Sequence, residues 1–559
     1  MCGICGIYSP SNNINKEDLK LMMKELQHRG PDGRGTFIDD QIALGHTRLA
    51  ILDLSERGKQ PMFSDDGEVV IVYNGEVYNY IELRAELEKL GHKFHSGTDT
   101  EVILKAYLEW GKQCAEKFNG MWAFAIWDER TKELWLARDQ FGIKPLYYTE
   151  VEGCMYFASE IKALLPFKKA VPDKKRCYQF FTGRVGENEK ETMFEGIYKT
   201  PFSYTPTELP NYPYLFKPTL LDSIHIRLRA DVPIGTCLSG GLDSSSIVCT
   251  LLQNENIEKM KAISACYDDN EHDEREYIEA IKSDKLENHY VFPDVDGLLK
   301  DMDDLVYYQD EPFDGGGIYS QWCVFREAKK RGVTVLLDGQ GSDEILAGYT
   351  YYQRFNRLAT MKPYPKDRLG VKVFEHPKLY TLYQMYRFPH MQKYYDACPY
   401  PKQFKTALTN RLYFDVITSL PRILKWEDRN SMAFGLETRL PFLDQRLVDI
   451  VFSLDDSMKI NNGWTKCVLR KSMKGILPEK IRLRKDKKGF TSPDELWLTE
   501  LKDEVTTTLE TPFAEEVSFK KGATQKYLNK FYNAHEKDSA KMVWKLYCFQ
   551  KWKEVFYDK

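Results

Sequence analysis

The sequence predicts two joined domains: a mixed α and β domain, then an α/β domain with a parallel sheet and a helical C-terminal part. Three observations lead to this prediction. Short β-rich runs broken by turns and a few helices fill the chain to about Leu165, and a proline-rich stretch follows. After that stretch, apolar strands alternate with glycine turns and helices. The length of 559 residues agrees, because a domain takes roughly 150 residues.

Composition excludes several classes of protein. Apolar residues make up 42% of the chain, charged residues 29%, and the formal net charge is −4, so we expect neither disorder nor a nucleic-acid partner. No apolar run approaches the roughly 18 residues of a membrane helix, and the N-terminus lacks a basic stretch followed by an apolar one. The 12 scattered cysteines fit reduced thiols. We therefore expect a cytoplasmic protein without a membrane partner.

The strands of the first domain are predicted from β-rich runs. Residues 69–73 (VVIVY) form one strand, which we expect to end at Asn74-Gly75. Residues 123–127 and 134–137 flank a short polar turn. This pattern is typical of a β-hairpin.

Two helices interrupt these strands. Residues 80–90 (YIELRAELEKL) place Ile81, Leu83, Leu87 and Leu90 near one face and stop at a glycine. Asp99 is a candidate cap for a second helix that runs to Tyr107. The first domain is therefore predicted to be mixed α and β.

Periodicity fades between about Phe167 and Phe216, where prolines recur among tyrosine, threonine and lysine. Such composition is typical of a connection between domains. We predict a first domain at residues 1–195, a linker at 196–217 and a second domain at 218–559.

The second domain begins with a regular alternation of strands and helices. A helix is expected at residues 245–252, and the last 150 residues are predicted to be mostly helical. The predicted strands are residues 234–238, 262–267, 289–292 and 333–337. Strands that alternate with helices in this way indicate a parallel sheet covered on both faces.

Cys2 has an unusual position in the chain. If Met1 is removed, which the small side chain of Cys2 favours, the thiol lies beside a free α-amino group that titrates near neutrality, at about 7.7 to 8.0. That amine is a built-in base for a thiol nucleophile. The alternatives are an incidental second residue, or one half of a redox or zinc pair with Cys5. A four-cysteine zinc site is not supported, because the sequence has no second CxxC.

Further polar segments accompany Cys2. HRGPDG at residues 28–33 is rich in turn residues, and RLAIL at 48–52 carries Arg48 into an apolar strand. Asn74-Gly75-Glu76 ends a strand with an amide and a flexible backbone. By itself, Asn74-Gly75 is more typical of a plain hairpin turn.

With MCGI at the start, YNGEVYN and SGTDTE, these segments resemble the class II glutamine amidotransferase domain. The resemblance implies an N-terminal-nucleophile hydrolase fold, an αββα sandwich, in which Cys2 attacks the side-chain amide of glutamine. Amide donors stabilise a tetrahedral oxyanion, and charged groups pair with the two ends of an amino acid. The implied oxyanion donors are Asn74 and Gly75. The implied glutamine-binding residues are Arg48, which pairs with the carboxylate, Leu49, Ala50, Ile51, Leu52, Asn74, Gly75, and Glu76 and Asp99, which bind the α-amino group.

SGGLDSS at residues 239–245 follows an apolar strand and opens a helix. Glycines allow backbone amides to approach a phosphate, and the helix N-terminus adds positive potential. Asp243 is a candidate ligand for Mg²⁺. The alternative is an ordinary tight turn. The lysine of the GxxxxGK[ST] phosphate loop is absent, so this would be a pyrophosphate cradle of another type.

LDGQGSDE at residues 337–344 is a second glycine and carboxylate loop after a strand. Loops at neighbouring strand ends face one crevice. The basic run at residues 482–488 is a solvated face, a nucleic-acid patch or a group of cations that neutralises a nucleotide. Because the overall charge is slightly acidic, the last interpretation is preferred.

The serine and glycine loop resembles the PP-loop motif of ATP pyrophosphatases, of the adenine nucleotide alpha hydrolase-like fold. FGIKPLYY, ASEIKALL, DVPIGTCLSGGLDSS, WEDRNSMAFGLETRLPFLD and LPEKIRLRKDKKGF extend the resemblance over nearly the whole chain, to the glutamine-hydrolysing asparagine synthetases of the bacterial type. The family mechanism implies that aspartate attacks the α-phosphate of MgATP, giving β-aspartyl-AMP and pyrophosphate. Ammonia released at Cys2 would pass through an internal channel and displace AMP.

The same resemblance implies the residues of the second site. ATP and Mg²⁺ are the expected ligands, beside the substrates glutamine and aspartate. The implied ATP-binding residues are Leu238, Ser239, Gly240, Gly241, Asp243, Ser244, Ala265, Asp338 and Gly339. The implied metal ligands are Asp243 and Asp343. Lys487 is implied to be catalytic, through the phosphate charge of the transition state.

At one position the sequence departs from the family pattern, and this difference leaves an alternative function open. Some family members have glutamate at the position of Gln340, and glutamine cannot act as a base. A rival hypothesis therefore keeps both half-reactions but amidates another carboxylate, in surface-polysaccharide or natural-product biosynthesis. A different class is an inactive homologue with an interaction or regulatory role, but nucleophile and phosphate loop are both present. Because homologues are often dimeric, a homodimer is an expectation.

Overall fold

The computed structural model describes residues 1–182, 190–207, 209–268, 271–360, 404–486 and 492–558. The strands are β1 (Gly3–Tyr8), β2 (Gly33–Ile38), β3 (Ile42–Arg48), β4 (Met62–Phe63), β5 (Val69–Val77), β6 (Gly120–Asp128), β7 (Glu133–Arg138), β8 (Tyr147–Val151), β9 (Cys154–Ala158), β10 (Ile197–Lys199), β11 (Ile234–Cys237), β12 (Met260–Ala265), β13 (Leu286–Val291), β14 (Val335–Leu337) and β15 (Glu437–Arg439).

The helices cover both domains and dominate the C-terminal part. They are α1 (Lys16–Glu25), α2 (Tyr80–Lys89), α3 (Asp99–Trp110), α4 (Lys174–Thr182), α5 (Phe216–Ile226), α6 (Leu242–Leu252), α7 (Arg275–Ile278), α8 (Val295–Gln309), α9 (Gly317–Lys330), α10 (Ser342–Leu346), α11 (Tyr352–Thr360), α12 (Ala407–Thr418), α13 (Leu420–Ala433), α14 (Gln445–Ser453), α15 (Asp456–Lys459), α16 (Cys467–Ser472), α17 (Glu479–Arg482), α18 (Asp494–Glu500), α19 (Lys502–Thr508), α20 (Phe513–Val517), α21 (Ala523–Leu528) and α22 (Ala540–Phe556). The predicted helical C-terminal part is confirmed.

The first domain is a four-layer sandwich. One antiparallel sheet has the order β10-β8-β9-β1-β3-β2 and the other the order β4-β5-β6-β7. Their facing side chains form one apolar layer, which includes Ile4, Leu44, Val72 and Ala125. Helix α1 covers the outer face of the first sheet, and α2 and α3 cover the second. The predicted αββα sandwich is confirmed.

Strand β5 is longer than the sequence pattern predicts. The prediction that it ends at Asn74-Gly75 is wrong, because Glu76 and Val77 continue the pairing with β6. Gly75 allows the backbone of β5 to lie close to that of β6, because a Cβ at this position would be only 2.2 Å from the carbonyl oxygen of Met121. The hairpin predicted between residues 123–127 and 134–137 is confirmed as β6 and β7.

The apolar face of α2 is narrower than predicted. Leu83 and Leu87 are buried, but Ile81 and Leu90 are 48% and 53% exposed, so the prediction that all four share a face is wrong. Two residues turn a helix by about 200°, which places Ile81 opposite Leu83, and Leu90 follows the last helical residue.

Helix α3 is capped by the residue before the predicted cap. The hydroxyl of Thr98 accepts a hydrogen bond from the backbone amide of Glu101, so Thr98 is the N-cap. Asp99, predicted to be the cap, is the first helical residue. Its carboxylate is therefore available for other partners.

The apolar strand expected at RLAIL ends at Arg48, where β3 stops. The prediction of strand beyond this point is wrong, because residues 49–52 bond to other segments. The amide of Ala50 donates to the Asp32 carboxylate (2.9 Å), and the carbonyl of Ile51 accepts from the amide of Asp231 (2.9 Å). The bond with Asp231 joins the segment to the second domain.

The proline-rich connection contributes an edge to the first sheet. Strand β10 pairs antiparallel with β8, and α5 follows after a short 3-10 turn at Pro213–Leu215. The domain boundaries at residues 195 and 217 stay predictions.

The second domain contains a five-stranded parallel sheet of order β13-β12-β11-β14-β15. The predicted parallel sheet is confirmed. The chain runs outward from β11 through β12 to β13 and then returns to the other side of β11 at β14. Ligands of open parallel sheets bind at the carboxyl ends of the strands at such a switch point. In the described part of the chain, no helix combines the length and the apolar character needed to cross a membrane.

Candidate functional site

Cys2 lies at the entrance to β1 and is held from three sides. Its amide donates to Oδ1 of Asn74 (2.9 Å), its Sγ contacts the carbonyl of Leu49 (3.8 Å), and its own carbonyl accepts from Nε of Arg29 (3.0 Å). Burial raises the pKa of the Cys2 thiol. A buried thiol with a raised pKa needs a nearby base to become a thiolate nucleophile.

Asn74 offers a hydrogen-bond donor beside Cys2. Its side chain is fully buried, and while Oδ1 accepts from Cys2, Nδ2 has no hydrogen-bond partner among the described residues. An unsatisfied buried donor costs about 1–3 kcal/mol, which a bound acceptor would recover. This geometry fits an oxyanion donor.

One pocket collects most of the residues that the resemblance assigns to glutamine. Arg48 reaches across its rim, where the guanidinium donates to the carbonyls of Ser55 (2.8 Å) and Asp53 (2.5 Å). The lining includes Cys2, Arg48, Leu49, Ile51, Leu52, Gly75, Glu76 and Asp99. Ala50 and Asn74 are not part of this lining. The amide of Ala50 bonds to Asp32, and the side chain of Asn74 is fully buried beside Cys2.

Two buried carboxylates face this pocket. Asp99 accepts from the hydroxyl of Tyr73 (2.8 Å) and the amide of Val77 (2.9 Å), and burial raises its pKa to about 6. Burial and the charge of Glu437 raise the pKa of Glu76 well above its ordinary value. An incoming ammonium would stabilise both carboxylates in their charged forms.

The second domain reaches into the same region through β15. The amine of Met1 donates to Glu437 (3.1 Å), and Arg439 pairs with Glu437 (2.6 Å) and lies 3.5 Å from Glu76. Sequence reasoning missed this role of Glu437 and Arg439. The sequence did contain a signal, the two charged residues of the short segment ETR. A buried strand carries charged side chains only when each of them has a partner.

A second crevice lies at the carboxyl ends of β11, β12 and β14. Of the residues assigned to ATP by resemblance, one cavity is lined by Leu238, Ser239, Ser244, Ala265 and Asp338. The adjoining cavity is lined by Ser239, Gly241, Asp243, Ser244, Asp338, Gly339 and Asp343. Gln340 borders both cavities, so the loop at residues 337–344 and the serine loop meet as predicted.

The serine loop has the geometry of an anion cradle. Gly240 lines neither cavity, but its φ of +71° is the left-handed conformation that glycine adopts freely. The hydroxyl of Ser244 accepts from the amide of Ser239 (3.2 Å) at the entrance to α6. Backbone amides at a helix N-terminus favour phosphate groups.

The two predicted metal ligands converge on one cation. Asp243 and Asp343 both contact Nζ of Lys466, at 2.5 Å and 2.6 Å. Lys466 is 3% exposed and was missed by sequence reasoning, since the segment GWTK has no distinctive spacing. The two carboxylates therefore share a position that accepts a positive charge. Lys487, the other predicted basic residue, lies outside the described residues.

A buried ion cluster joins the two domains. Arg29, from HRGPDG, pairs with Glu160 (2.6 Å) in its own domain and with Asp428 (2.9 Å) on α13. Arg429 continues the cluster to Asp310 (2.9 Å). Because Arg29 also donates to the carbonyl of Cys2, Cys2 is connected to the second domain by direct contacts.

Fold and pockets together define a two-domain protein of the glutamine amidotransferase class. The family model described as "Glutamine amidotransferase domain" matches residues 1–207, and the one described as "Asparagine synthase" matches residues 215–554. The chain belongs to the asparagine synthase family.

Two curated relatives show the extent of the similarity. Asparagine synthetase [glutamine-hydrolyzing] 1 of Bacillus subtilis (strain 168) is 30% identical, over 100% of this chain and 97% of its own length. Putative asparagine synthetase [glutamine-hydrolyzing] 2 of Methanocaldococcus jannaschii is 35% identical, over 66% of this chain and 79% of its own. A solved glutamine phosphoribosylpyrophosphate amidotransferase from B. subtilis, complexed with ADP and GMP, matches 47% of this chain and 75% of its own, at 17% identity and a TM-score of 0.28.

Proposed function

We propose that this protein makes asparagine from aspartate and ATP, with nitrogen taken from glutamine. The observation that carries the proposal is the presence in one chain of a pocket at Cys2 and a crevice at the strand ends of the parallel sheet. Contacts from Cys2 through Arg29 to Asp428 join the first of these to the second domain. The relatives named for glutamine-hydrolysing asparagine synthesis support the same pairing of reactions.

The first half-reaction takes place at Cys2. After removal of Met1, the α-amine of Cys2 takes the thiol proton, and Sγ attacks the side-chain carbonyl of glutamine. Nδ2 of Asn74 and the amide of Gly75 stabilise the tetrahedral oxyanion, and ammonia leaves. Arg48 binds the carboxylate of glutamine, and Glu76 and Asp99 bind its ammonium. Water then hydrolyses the thioester to glutamate.

The second half-reaction takes place at the strand ends of the parallel sheet. The backbone of Leu238 and Ala265 contacts adenosine, and the loop from Ser239 to Ser244 holds the phosphates. The side-chain carboxylate of aspartate attacks the α-phosphorus, and pyrophosphate leaves. Ammonia then attacks the acyl carbon, and AMP leaves. Lys487 is proposed to neutralise phosphate charge in this step.

Asp243 and Asp343 fit a magnesium ion, because two carboxylates already surround a single cationic position. When bound there, Mg²⁺ neutralises phosphate charge on the nucleotide. Lys466 occupies that position in the free chain and would move toward the phosphates as the nucleotide enters.

The decisive experiment supplies purified protein with glutamine, MgATP and aspartate and measures products by mass spectrometry. We expect asparagine, glutamate, AMP and pyrophosphate in equal amounts. Glutamine hydrolysis without asparagine, followed by amidation of a different carboxylate, would favour the rival acceptor raised by Gln340. The curated matches give that alternative no support.

The location and assembly of the protein complete the proposal. A cytoplasmic location and a homodimer stay predictions. Fractionation of the native cells tests the first, and light scattering of the purified chain tests the second.

A further inference from the structure

Gln321 on α9 borders both cavities of the second crevice, and neither half-reaction uses it. We call the cavity lined by Leu238 and Ala265 the nucleoside cavity, and the one lined by Asp243 and Asp343 the phosphate cavity. The side chains that line both cavities mark the place where the two meet. They are Ser239, Ser244, Gln321, Asp338 and Gln340.

The amide of Gln321 is oriented by a chain of hydrogen bonds. Nδ2 of Asn430 donates to the carbonyl of Ile318 (2.9 Å) and to Oε1 of Gln321 (3.0 Å). Oδ1 of Asn430 accepts from Nε2 of Gln309 (2.8 Å), which also donates to the carbonyl of Trp426 (3.2 Å). A backbone carbonyl can only accept, so the two carbonyls determine which atom of each amide is the donor.

This chain leaves the NH₂ group of Gln321 to the cavities. Oε1 is occupied by Asn430, and within the described part of the chain Nε2 has no hydrogen-bond partner. Gln321 is 7% exposed, so its donor is presented inside a buried site. A buried donor is stabilised when a bound acceptor reaches it. The position of Gln321 therefore suits an oxygen of a bound ligand.

The place where the two cavities meet indicates which part of ATP lies beside Gln321. In the proposed function, adenosine lies in the nucleoside cavity, and Asp243 and Asp343 hold Mg²⁺ with the outer phosphates in the phosphate cavity. The α-phosphate joins these two parts of ATP, so it lies where the cavities meet. Its charged oxygens are strong hydrogen-bond acceptors. Nε2 of Gln321 and the α-phosphate are therefore complementary.

The other side chains at this place differ from Gln321 in what they offer. Asp338 has a carboxylate, which accepts hydrogen bonds when it is charged. The hydroxyls of Ser239 and Ser244 lie 3.1 Å apart and bond to each other. Gln340 has an amide, but among the described residues no side-chain hydrogen bond fixes its orientation. Gln321 is thus the donor that the surrounding protein holds in place.

We propose that Gln321 is a catalytic residue of the second half-reaction, and that its Nε2 donates a hydrogen bond to an α-phosphate oxygen while the acyl-adenylate forms. The inference rests on the proposed function. In this step a carboxylate oxygen of aspartate forms a bond to the α-phosphorus. The bond from phosphorus to the bridging oxygen breaks, and pyrophosphate leaves with the electron pair. A donor fixed beside the α-phosphate stabilises its negative charge in the transition state.

The first test removes the donor and keeps the length of the side chain. In Gln321→Met the amide is lost, while Nδ2 of Asn430 keeps its bond to Ile318. Three rates are measured: glutamine hydrolysis, aspartate-dependent exchange of pyrophosphate into ATP, and asparagine formation from ammonium. Exchange should fall by about 10- to 100-fold, the usual contribution of a hydrogen bond to a charged group, and asparagine formation should fall with it. Unchanged glutamine hydrolysis reports that the protein is folded.

Sulfur substitution at the α-phosphate tests the contact itself. The two diastereomers of ATPαS carry sulfur in place of one or the other α-phosphate oxygen, and sulfur is the weaker acceptor. In the unsubstituted protein, exchange should be slower with the diastereomer whose sulfur faces Gln321. Gln321→Met should reduce this difference, because the donor is gone. A purely structural effect of the substitution would slow ATP and both diastereomers alike.

Two further variants complete the test. Gln550 on α22 is a buried glutamine whose Oε1 accepts from the amide of Phe513 (2.8 Å), and it lines neither cavity. Gln550→Met is therefore the matched control and should leave all three rates unchanged. Gln321→Glu keeps an acceptor for Asn430 but places a negative charge beside the α-phosphate, so exchange should fall further than in Gln321→Met. This variant carries the test if Gln321→Met does not fold.

The inference is overturned by normal exchange in Gln321→Met or Gln321→Glu, even if asparagine formation falls. An unaltered sulfur effect in Gln321→Met would also overturn it, because the donor would then not touch the α-phosphate. If the unsubstituted protein makes no asparagine, the proposed function itself fails before any variant is compared. The two failures are therefore distinguishable.

Discussion

The two pockets are built on different physical principles. Around Cys2, strand β5 carries Asn74 and Glu76, and the first turn of α3 carries Asp99. Hydrogen bonds hold Asn74 and Asp99 in place. At the strand ends of the parallel sheet, flexible glycine loops surround carboxylates whose charge is balanced by Lys466. Beside Cys2, Nδ2 of Asn74 has no hydrogen-bond partner among the described residues, whereas in the second crevice Asp243 and Asp343 are both paired with Lys466. Changes in one should leave the chemistry of the other intact.

The largest expected effect tests this independence. Cys2→Ala should lower glutamine-dependent synthesis by roughly 10⁴-fold or more, because only binding and oxyanion contributions remain without the nucleophile. Asparagine formation from ammonium should persist. The measurement is steady-state synthesis with each nitrogen source, and Cys5→Ala on the same strand is the control. Loss of both activities would mean that the pockets are not separate.

Asp243→Asn tests the independence of the two pockets by a change in the second crevice. Pyrophosphate release should fall on the order of 10³-fold, because a bound metal supplies several kcal/mol of charge stabilisation. Glutamine hydrolysis should stay measurable. Asp284→Asn, at an exposed carboxylate, is the control. A parallel loss of glutamine hydrolysis would argue against independent domains.

The open donor in the first pocket predicts a third effect. Asn74→Ala should lower kcat for glutamine hydrolysis by about 10²- to 10³-fold with little change in KM, because an oxyanion donor acts in the transition state. Asn79→Ala is the control, since both polar atoms of that side chain are occupied by backbone groups. An effect on KM alone would assign Asn74 to substrate binding instead.

The smallest expected effect is a dependence on pH of KM for glutamine. In the proposed mechanism Asp99 binds the ammonium of glutamine, which requires a charged carboxylate, and burial raises its pKa to about 6. KM for glutamine should therefore rise as pH falls below that value, by up to about tenfold per pH unit for a single titrating group. Ammonia-dependent synthesis over the same range is the internal control. A KM that is constant from pH 7 to roughly pH 5 would contradict this role.

Local sequence patterns predicted the strands and helices but not all of the residues at which they end. The strands at residues 69–73 and 123–127 follow from β-rich apolar runs, and the glycine loops after β11 and β14 follow from turn chemistry. Both are local properties. The predicted end of β5 at Asn74-Gly75 was wrong because the same two residues suit either a hairpin turn or a strand that lies very close to a neighbouring backbone. Only the partner strand β6 decides between them.

By itself, the sequence predicted the two domains, Cys2 as the candidate nucleophile and the loops that line the second crevice. These depend on residue type and short spacing. The tertiary structure decided which charges meet: Arg29 and Asp428 are 399 residues apart in the chain, and Lys466 reaches Asp243 across 223. A buried charge takes the partner that packing brings to it, and no local periodicity encodes that choice. The contact between the two domains is therefore a product of the fold.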